Sequence, residues 1–175
     1  AYAALTQRTQ IKNSYSIDPF QADSKIVEVL TKMGASLDFS SKGLSVSPIE
    51  TFYPVEVDVS VCLDIAPTLA FLFAYSGQKN VMKNLKNLRH KESDRLEGIK
   101  DLLKSFEIDF EHSEEEDTLV IHGTTPKTLK RDIMVARDHR MVMAASLFLK
   151  LNGGGTITPA DAVAKSFPEF FLWFG

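Results

Sequence analysis

The chain is 175 residues long, 44% hydrophobic and 25% charged, with a formal net charge of -3 and a pI of about 5.8. That balance suits one globular domain that buries roughly two thirds of its unfolded surface, and it argues against a nucleic-acid module, which is normally basic overall. A local cationic pocket for small anions stays open. The single cysteine, Cys62, excludes an internal disulfide and points to a reducing, cytoplasmic setting; between Val61 and Leu63 it reads as a small buried hydrophobe. "AYAALTQRTQ" lacks the layout of a secretory signal. The longest apolar run, "IAPTLAFLFAY", is too short for a bilayer and contains Pro67, so no membrane role is expected.

In chain order, residues 24–33 predict a helix with Ile26, Val27, Leu30 and Met33 on one face, closed by Gly34. "ASLDFSSKGLSVSP" then reads as a hairpin, with Leu37 and Phe39 alternating with polar residues around an "SSKG" turn. In "LDIAPTLAFLFAYSG", Asp64 is the expected N-cap, Pro67 fits the first turn and Gly77 ends a helix that is apolar all round and therefore buried. "LEGIKDLLKSF" predicts a second amphipathic helix (Leu96, Ile99, Leu103, Phe106), and "EIDFEHSEEEDTLVIHG" a second hairpin with its acidic run in the turn. Helix, strand, turn, strand thus occurs twice at a spacing of roughly seventy residues, too long for common solenoids and suggestive of duplicated α/β units. "DHRMVMAASLFLKLNGGG" repeats the buried-helix design with Asp138 as cap. Ser166 and Glu169 form an expected capping box for a short last helix.

The charges around "LRHKESDRLEGI" are harder to place. Extended backward at 100° per residue, the stripe of Leu96, Ile99, Leu102, Leu103 and Phe106 meets Arg95 and Glu92, with Lys91 at its edge. Burying isolated charge is costly unless a partner compensates, so either the helix end protrudes into water or these groups line a polar cleft. Their sign is also unexpected, because a helix N-terminus disfavours cations. Lys91 and Arg95 flank one expected helix start, Arg140 follows the Asp138 cap of another, and Lys165 precedes the Ser166 cap of a third. Unpaired N–H groups combined with Lys and Arg make an anion site if the three ends converge. Glu92 and Asp64 are acid/base candidates beside those cations. The four histidines lack metal-ligand spacing, "NGGG" is not a P-loop, and no G-x-S-x-G elbow occurs, so no metal or cofactor is expected.

"NLRHKESDRL", "DHRMVMAASL" and "AVAKSFPEFF", in this order, closely resemble the C-terminal portion of the 5-enolpyruvylshikimate-3-phosphate (EPSP) synthase family; "ADSKIVEVLTKMGA" and "DIAPTLAFLFAYSG" extend the resemblance over nearly the whole chain. It implies an α/β (α+β) fold of repeated βαβαββ units, one domain of a two-domain inside-out α/β barrel, with helices inside, sheets outside and helix N-termini facing the interdomain cleft. Residues 1–175 then form a single domain with repeat units at roughly 1–60, 61–124 and 125–175.

The activity implied is transfer of the carboxyvinyl group of phosphoenolpyruvate to the 5-hydroxyl of shikimate 3-phosphate, with loss of phosphate, in aromatic amino acid biosynthesis. By the resemblance, Asp64 matches the acid that takes the hydroxyl proton and Glu92 the acid that exchanges a proton with the methylene carbon. Lys91 and Asn87 match residues on the shikimate phosphate side. Arg95, Arg140 and Lys165 match those that grip phosphoenolpyruvate, and Asp94, Asp138 and His139 stand as supporting residues. One departure is Phe106, where a glycine like Gly34 would end the helix. The family's N-terminal portion, which supplies further shikimate 3-phosphate contacts, has no counterpart here. The chain therefore reads as a fragment, partnered by that missing domain and inactive alone. The alternatives are a non-catalytic anion-binding domain of the same fold, the related transferase acting on UDP-N-acetylglucosamine, and an RNA-end-processing protein of similar units, which the acidic pI disfavours.

Overall fold

The computed structural model describes residues 1–14, 16–18 and 20–174. Its elements fall into three groups. The first holds α1 (Tyr2–Leu5), β1 (Thr9–Ile11), α2 (Lys25–Lys32), β2 (Leu37–Ser40) and β3 (Gly43–Val46), whose strands form an antiparallel sheet in the order β1-β3-β2. The second holds β4 (Glu56–Asp58), α3 (Ala66–Ala74), β5 (Lys79–Lys83), α4 (Arg95–Ser105), β6 (Phe110–Ser113) and β7 (Thr118–His122), in a sheet ordered β4-β5-β7-β6. The third pairs β8 (Arg131–Met134) with β9 (Gly155–Thr158) in parallel, connected by α5 (His139–Leu151) and followed by α6 (Phe170–Phe174).

The repeat read from the sequence is present in the topology. β1-α2-β2-β3 and β5-α4-β6-β7 share one connectivity, with the last strand inserted between the first two in both sheets. β4 runs parallel to β5 through α3, so the second group is a complete βαβαββ unit. β4, at residues 56–58, belongs to that unit by its pairing.

The interior is centred on α3, α4 and α5. In α3 all residues but Thr68 are buried, which is why its sequence shows no polar face. α3, α4 and α5 pack on one another, and the rings of Phe71 and Phe106 lie 5.4 and 5.1 Å from that of Phe148 on α5. Each fully buried ring contributes about 1.5–3 kcal/mol relative to exposure. No helix among the described residues is long and apolar enough to cross a membrane.

Several local expectations need correction. In α2 and just beyond it, Val29, Leu30 and Met33 are buried while Val27 is only partly so, so Val29 takes the place expected for Val27 and the rest of the apolar face stands as read. The residue answering to Gly34 (φ +106°) after α4 is Glu107 (φ +57°), not Phe106, which is the C-cap. A left-handed Glu costs roughly 1–2 kcal/mol, and ion pairs to Lys127 and Arg131 at 2.6 and 2.8 Å hold it. The Ser166–Glu169 capping box does not form. Ser166 ends a 3₁₀ turn at 160–165, and the Glu169 carboxylate instead accepts from the Trp173 indole. Asp64 is not a cap either: it lies within a 3₁₀ turn at 63–65 ahead of α3 and makes no capping bond. Its carboxylate has partners elsewhere.

Candidate active site

The starts of α3, α4 and α5 meet at one end of the helical core. Arg95, the first residue of α4, is the centre of that meeting. Its side chain is 1% exposed and surrounded by three carboxylates. Nε donates to Asp138 Oδ2 at 2.8 Å, Nη1 to Asp64 Oδ1 at 2.7 Å and Nη2 to Glu92 Oε2 at 2.8 Å. Each acid comes from a different segment: Asp138 caps α5, Asp64 precedes α3, and Glu92 lies in the bend before α4.

Asp138 is a true N-cap. Its side chain accepts from the Arg140 backbone N–H at 2.8 Å, and its other oxygen also takes the Ser93 hydroxyl at 3.1 Å. One buried carboxylate therefore fixes the start of α5 against the start of α4. Asp94 caps α4 by accepting from Glu97 N at 3.0 Å. Arg89 pairs with Asp94, Glu97 and Glu114, which ties the segment carrying Lys91 and Glu92 to α4 and to the turn of the second hairpin.

The remaining cations complete the cluster. Arg140 Nη2 reaches Asp64 Oδ2 at 3.2 Å and Asp23 Oδ2 at 3.5 Å; Lys91 Nζ stands 3.4 Å from Asp64 Oδ1; Lys165 Nζ donates to Glu92 Oε1 at 2.8 Å. Lys91, Arg95, Arg140 and Lys165 thus face Asp23, Asp64, Glu92 and Asp138, four charges of each sign. This explains why cations occupy the starts of α4 and α5: carboxylates at 2.7–3.2 Å outweigh a dipole effect worth about 0.3–1 kcal/mol. Lys165 is not at a helix start as the sequence suggested. It closes the 3₁₀ turn, an end that favours a cation.

The ionisation states follow from these contacts. Burial opposes the charge on Asp64, but the Arg95 hydrogen bond and the charges of Arg140, Arg95 and Lys91 outweigh it and hold the carboxyl below its ordinary range. The Lys165 hydrogen bond, with a backbone bond and the nearby Arg95 charge, pulls Glu92 down to about 2. Burial works against the Arg95 cation, and its bonds to Asp138 and Asp64 more than compensate. Both acid/base candidates are therefore ionised at neutral pH.

Of the residues singled out from the sequence, Asp64, Lys91, Glu92, Arg95, Asp138, Arg140 and Lys165 come together. His139 is buried beside them, with Nδ1 3.8 Å from Asp138 Oδ1 and no hydrogen-bond partner among the described residues. Asn87 is not brought in; it is exposed on the 3₁₀ turn at 86–90. Asp94 acts on the helix and not on the cluster. Asp23 and Ser93 were missed by the sequence reading. An acid just before a helix looks like an ordinary cap, and a serine among charges carries no signal. Beside the cluster is an open depression of about 190 Å³ lined by Asp23, Ser60, Cys62, Asp64 and Lys91. A wider depression, about 620 Å³ around Arg8, Asp38 and Lys42, shares no residue with the cluster.

A profile of the EPSP synthase (3-phosphoshikimate 1-carboxyvinyltransferase) family matches residues 1–173. The chain is 34% identical over 174 residues to the 3-phosphoshikimate 1-carboxyvinyltransferase of Syntrophobacter fumaroxidans, covering 99% of this chain and 41% of that protein. It is 37% identical over 156 residues to the enzyme of the same name from Clostridium kluyveri, covering 88% and 35%. The fold matches the solved EPSP synthase from Acinetobacter baumannii with a TM-score of 0.77 at 24% identity, over 97% of this chain and 42% of that one. The chain thus spans about two fifths of the length of these relatives.

Proposed function

This chain belongs to the EPSP synthase family, and on that premise we propose that it supplies the phosphoenolpyruvate side of a 3-phosphoshikimate 1-carboxyvinyltransferase site. The observation that carries the reading is the single ion network joining Asp64, Glu92, Arg95, Arg140 and Lys165 from separate elements of the fold.

In this reading Arg140 and Lys165 turn from their carboxylates to the carboxylate and phosphate of phosphoenolpyruvate, since arginine forks and lysine ammonium groups suit such anions. Arg95 shares its outer nitrogens with them. Lys91 and the exposed Asn87 face the phosphate of shikimate 3-phosphate, whose other contacts come from a portion of the enzyme outside these 175 residues.

The charge balance explains how ionised acids become catalysts. The empty cluster is neutral, so a bound anion adds unbalanced negative charge and withdraws Lys165 from Glu92 and Arg140 from Asp64. Both carboxyls then rise toward values suited to proton transfer. Asp64 takes the proton of the 5-hydroxyl as its oxygen bonds to C2 of phosphoenolpyruvate, and Glu92 delivers a proton to the methylene carbon. In the second step the methyl returns that proton to Glu92, the C–O bond to phosphate breaks, and the proton on Asp64 leaves with the phosphate. No cofactor is required. A lone reduced cysteine accords with a cytoplasmic enzyme.

The test is phosphate release with both substrates. The 175-residue chain alone is expected to show no turnover, because bringing two anions together in an enclosed cleft is worth about 7–11 kcal/mol in favourable cases and one wall is absent. Adding the separately expressed N-terminal portion restores turnover. Appreciable turnover by the chain alone, or none when the halves are joined, would contradict the proposal.

A further inference from the structure

Among the described residues, Arg140 is the cation of the cluster that keeps a buried N–H unpaired. Charge-assisted N–H···O bonds run at about 2.7–2.9 Å, the range in which Arg95 is held on three sides. Arg140 instead offers one nitrogen, Nη2, to two acids at 3.2 and 3.5 Å, while its Nε is buried with no hydrogen-bond partner among the described residues. The more distant of the two acids is Asp23. It stands in the 3₁₀ turn at 22–24 that leads into α2, in the first repeat group, whereas Arg140 opens α5 in the third. Among the described residues the Asp23 carboxylate has no other ion-pair or hydrogen-bond partner, so the turn does not use it. It also lines the open depression beside Asp64 and Lys91.

We infer that Asp23 is an affinity-setting counter-ion of the anion site: its carboxylate occupies Arg140 while the site is empty, and the carboxylate or phosphate of an incoming ligand displaces it. The inference rests on the reading of Arg140 as a phosphoenolpyruvate contact. A spare carboxylate is well suited to this task. It lowers the cost of holding a half-buried guanidinium without a ligand. Being partly exposed and at 3.5 Å, it yields easily to an anion that engages two nitrogens at once. It also opposes loosely bound anions that cannot make the bidentate contact, and so favours ligands that can.

The experiment is made in the full-length enzyme with Asp23→Asn, which keeps the shape and removes the charge. An exposed pair of this kind corresponds to about two- to fivefold in affinity. The dissociation constant for phosphoenolpyruvate is expected to fall by that factor, with shikimate 3-phosphate binding and the melting temperature unchanged. Asp23→Ala should act in the same direction. In an Arg140→Ala background the gain should shrink to less than half. Arg140→Ala itself separates the two ideas. If it leaves phosphoenolpyruvate binding unchanged, the site reading fails and this inference with it. If it weakens binding strongly while Asp23→Asn has no effect or weakens binding too, the Asp23 inference alone is overturned. An undiminished gain without Arg140 would likewise overturn it, because Asp23 would then act by general repulsion.

Discussion

Replacing Asp138 by alanine removes four bonds at once: the acceptors of Arg95 Nε at 2.8 Å and Arg95 Nη2 at 3.4 Å, the acceptor of the Ser93 hydroxyl at 3.1 Å, and the cap on Arg140 N at 2.8 Å. The Asp138 side chain is 0% exposed and that of Arg95 1%, so water cannot take the place of the lost carboxylate without opening the core. Breaking one side of a buried ion pair costs about 3–5 kcal/mol, and losing an N-cap about 1 kcal/mol. Arg95 keeps Asp64 and Glu92 on its two outer nitrogens, which places the pair term at the low end. The sum is about 3–5 kcal/mol. For a chain of this size each kcal/mol lowers the melting temperature by about 2–4 °C, so Asp138→Ala should melt roughly 6–20 °C lower. Asp138→Asn keeps one acceptor oxygen, enough for either Arg95 Nε or the cap on Arg140 N and not for both, and should lose about half as much. Thermal melts followed by circular dichroism, with urea unfolding to check that the m-value is unchanged, provide the readout. An alanine variant melting within about 2 °C of the parent would refute the idea that this carboxylate ties the two helix starts together.

Other outcomes follow from the same geometry. Glu92, held at about 2 by Lys165, should move up toward the ordinary carboxylate range in Lys165→Gln, a shift readable by carbon NMR of the side-chain carboxyl. Because its folded value lies below the unfolded one, the stability it contributes is complete above pH 4.5 and is lost as pH falls toward 2; acid unfolding of Lys165→Gln should lack that component. Gly34→Ala should destabilise by about 1–3 kcal/mol, since φ is +106° and the new Cβ would lie 2.5 Å from the Thr51 carbonyl oxygen. Gly98→Ala, whose Cβ would meet only the mobile end of Met141 at 2.9 Å, should stay within about 1 kcal/mol because helix propensity offsets the crowding; urea melts of the two variants compare them directly.

Periodicity and turn chemistry were enough to read the repeated helix and hairpin, while the full βαβαββ architecture was implied by the family resemblance. The 3.6-residue stripe of α4, the all-round apolar character of α3 and α5, and the two hairpin turns each stem from local sequence, and their repetition exposes the duplicated unit before any coordinates. The site was readable for a different reason. Cations at helix starts conflict with the macrodipole, and at Arg95 and Arg140 that conflict marks real contacts. At Lys165 the same argument reached a residue of the cluster on a wrong premise, because Ser166 and Glu169 match a capping pattern that the folded chain does not form. Asp64 shows the converse. Its spacing fits a cap, yet Arg95 on a helix 31 positions later claims the carboxylate. Asp23 was out of reach of the sequence, since its partner Arg140 is brought to it only by the packing of the first and third groups.

The central claim is that the cluster at the starts of α4 and α5 is a phosphoenolpyruvate site. It is tested most directly by measuring both substrates' dissociation constants in the full-length enzyme and its Arg140→Ala variant. Loss of a charge-assisted contact to an anion is worth about 1.5–3 kcal/mol, roughly ten- to a hundredfold in affinity. The account predicts weakening of that size for phosphoenolpyruvate, with shikimate 3-phosphate within about twofold of the parent. Equal weakening of both substrates, or of neither, would contradict it.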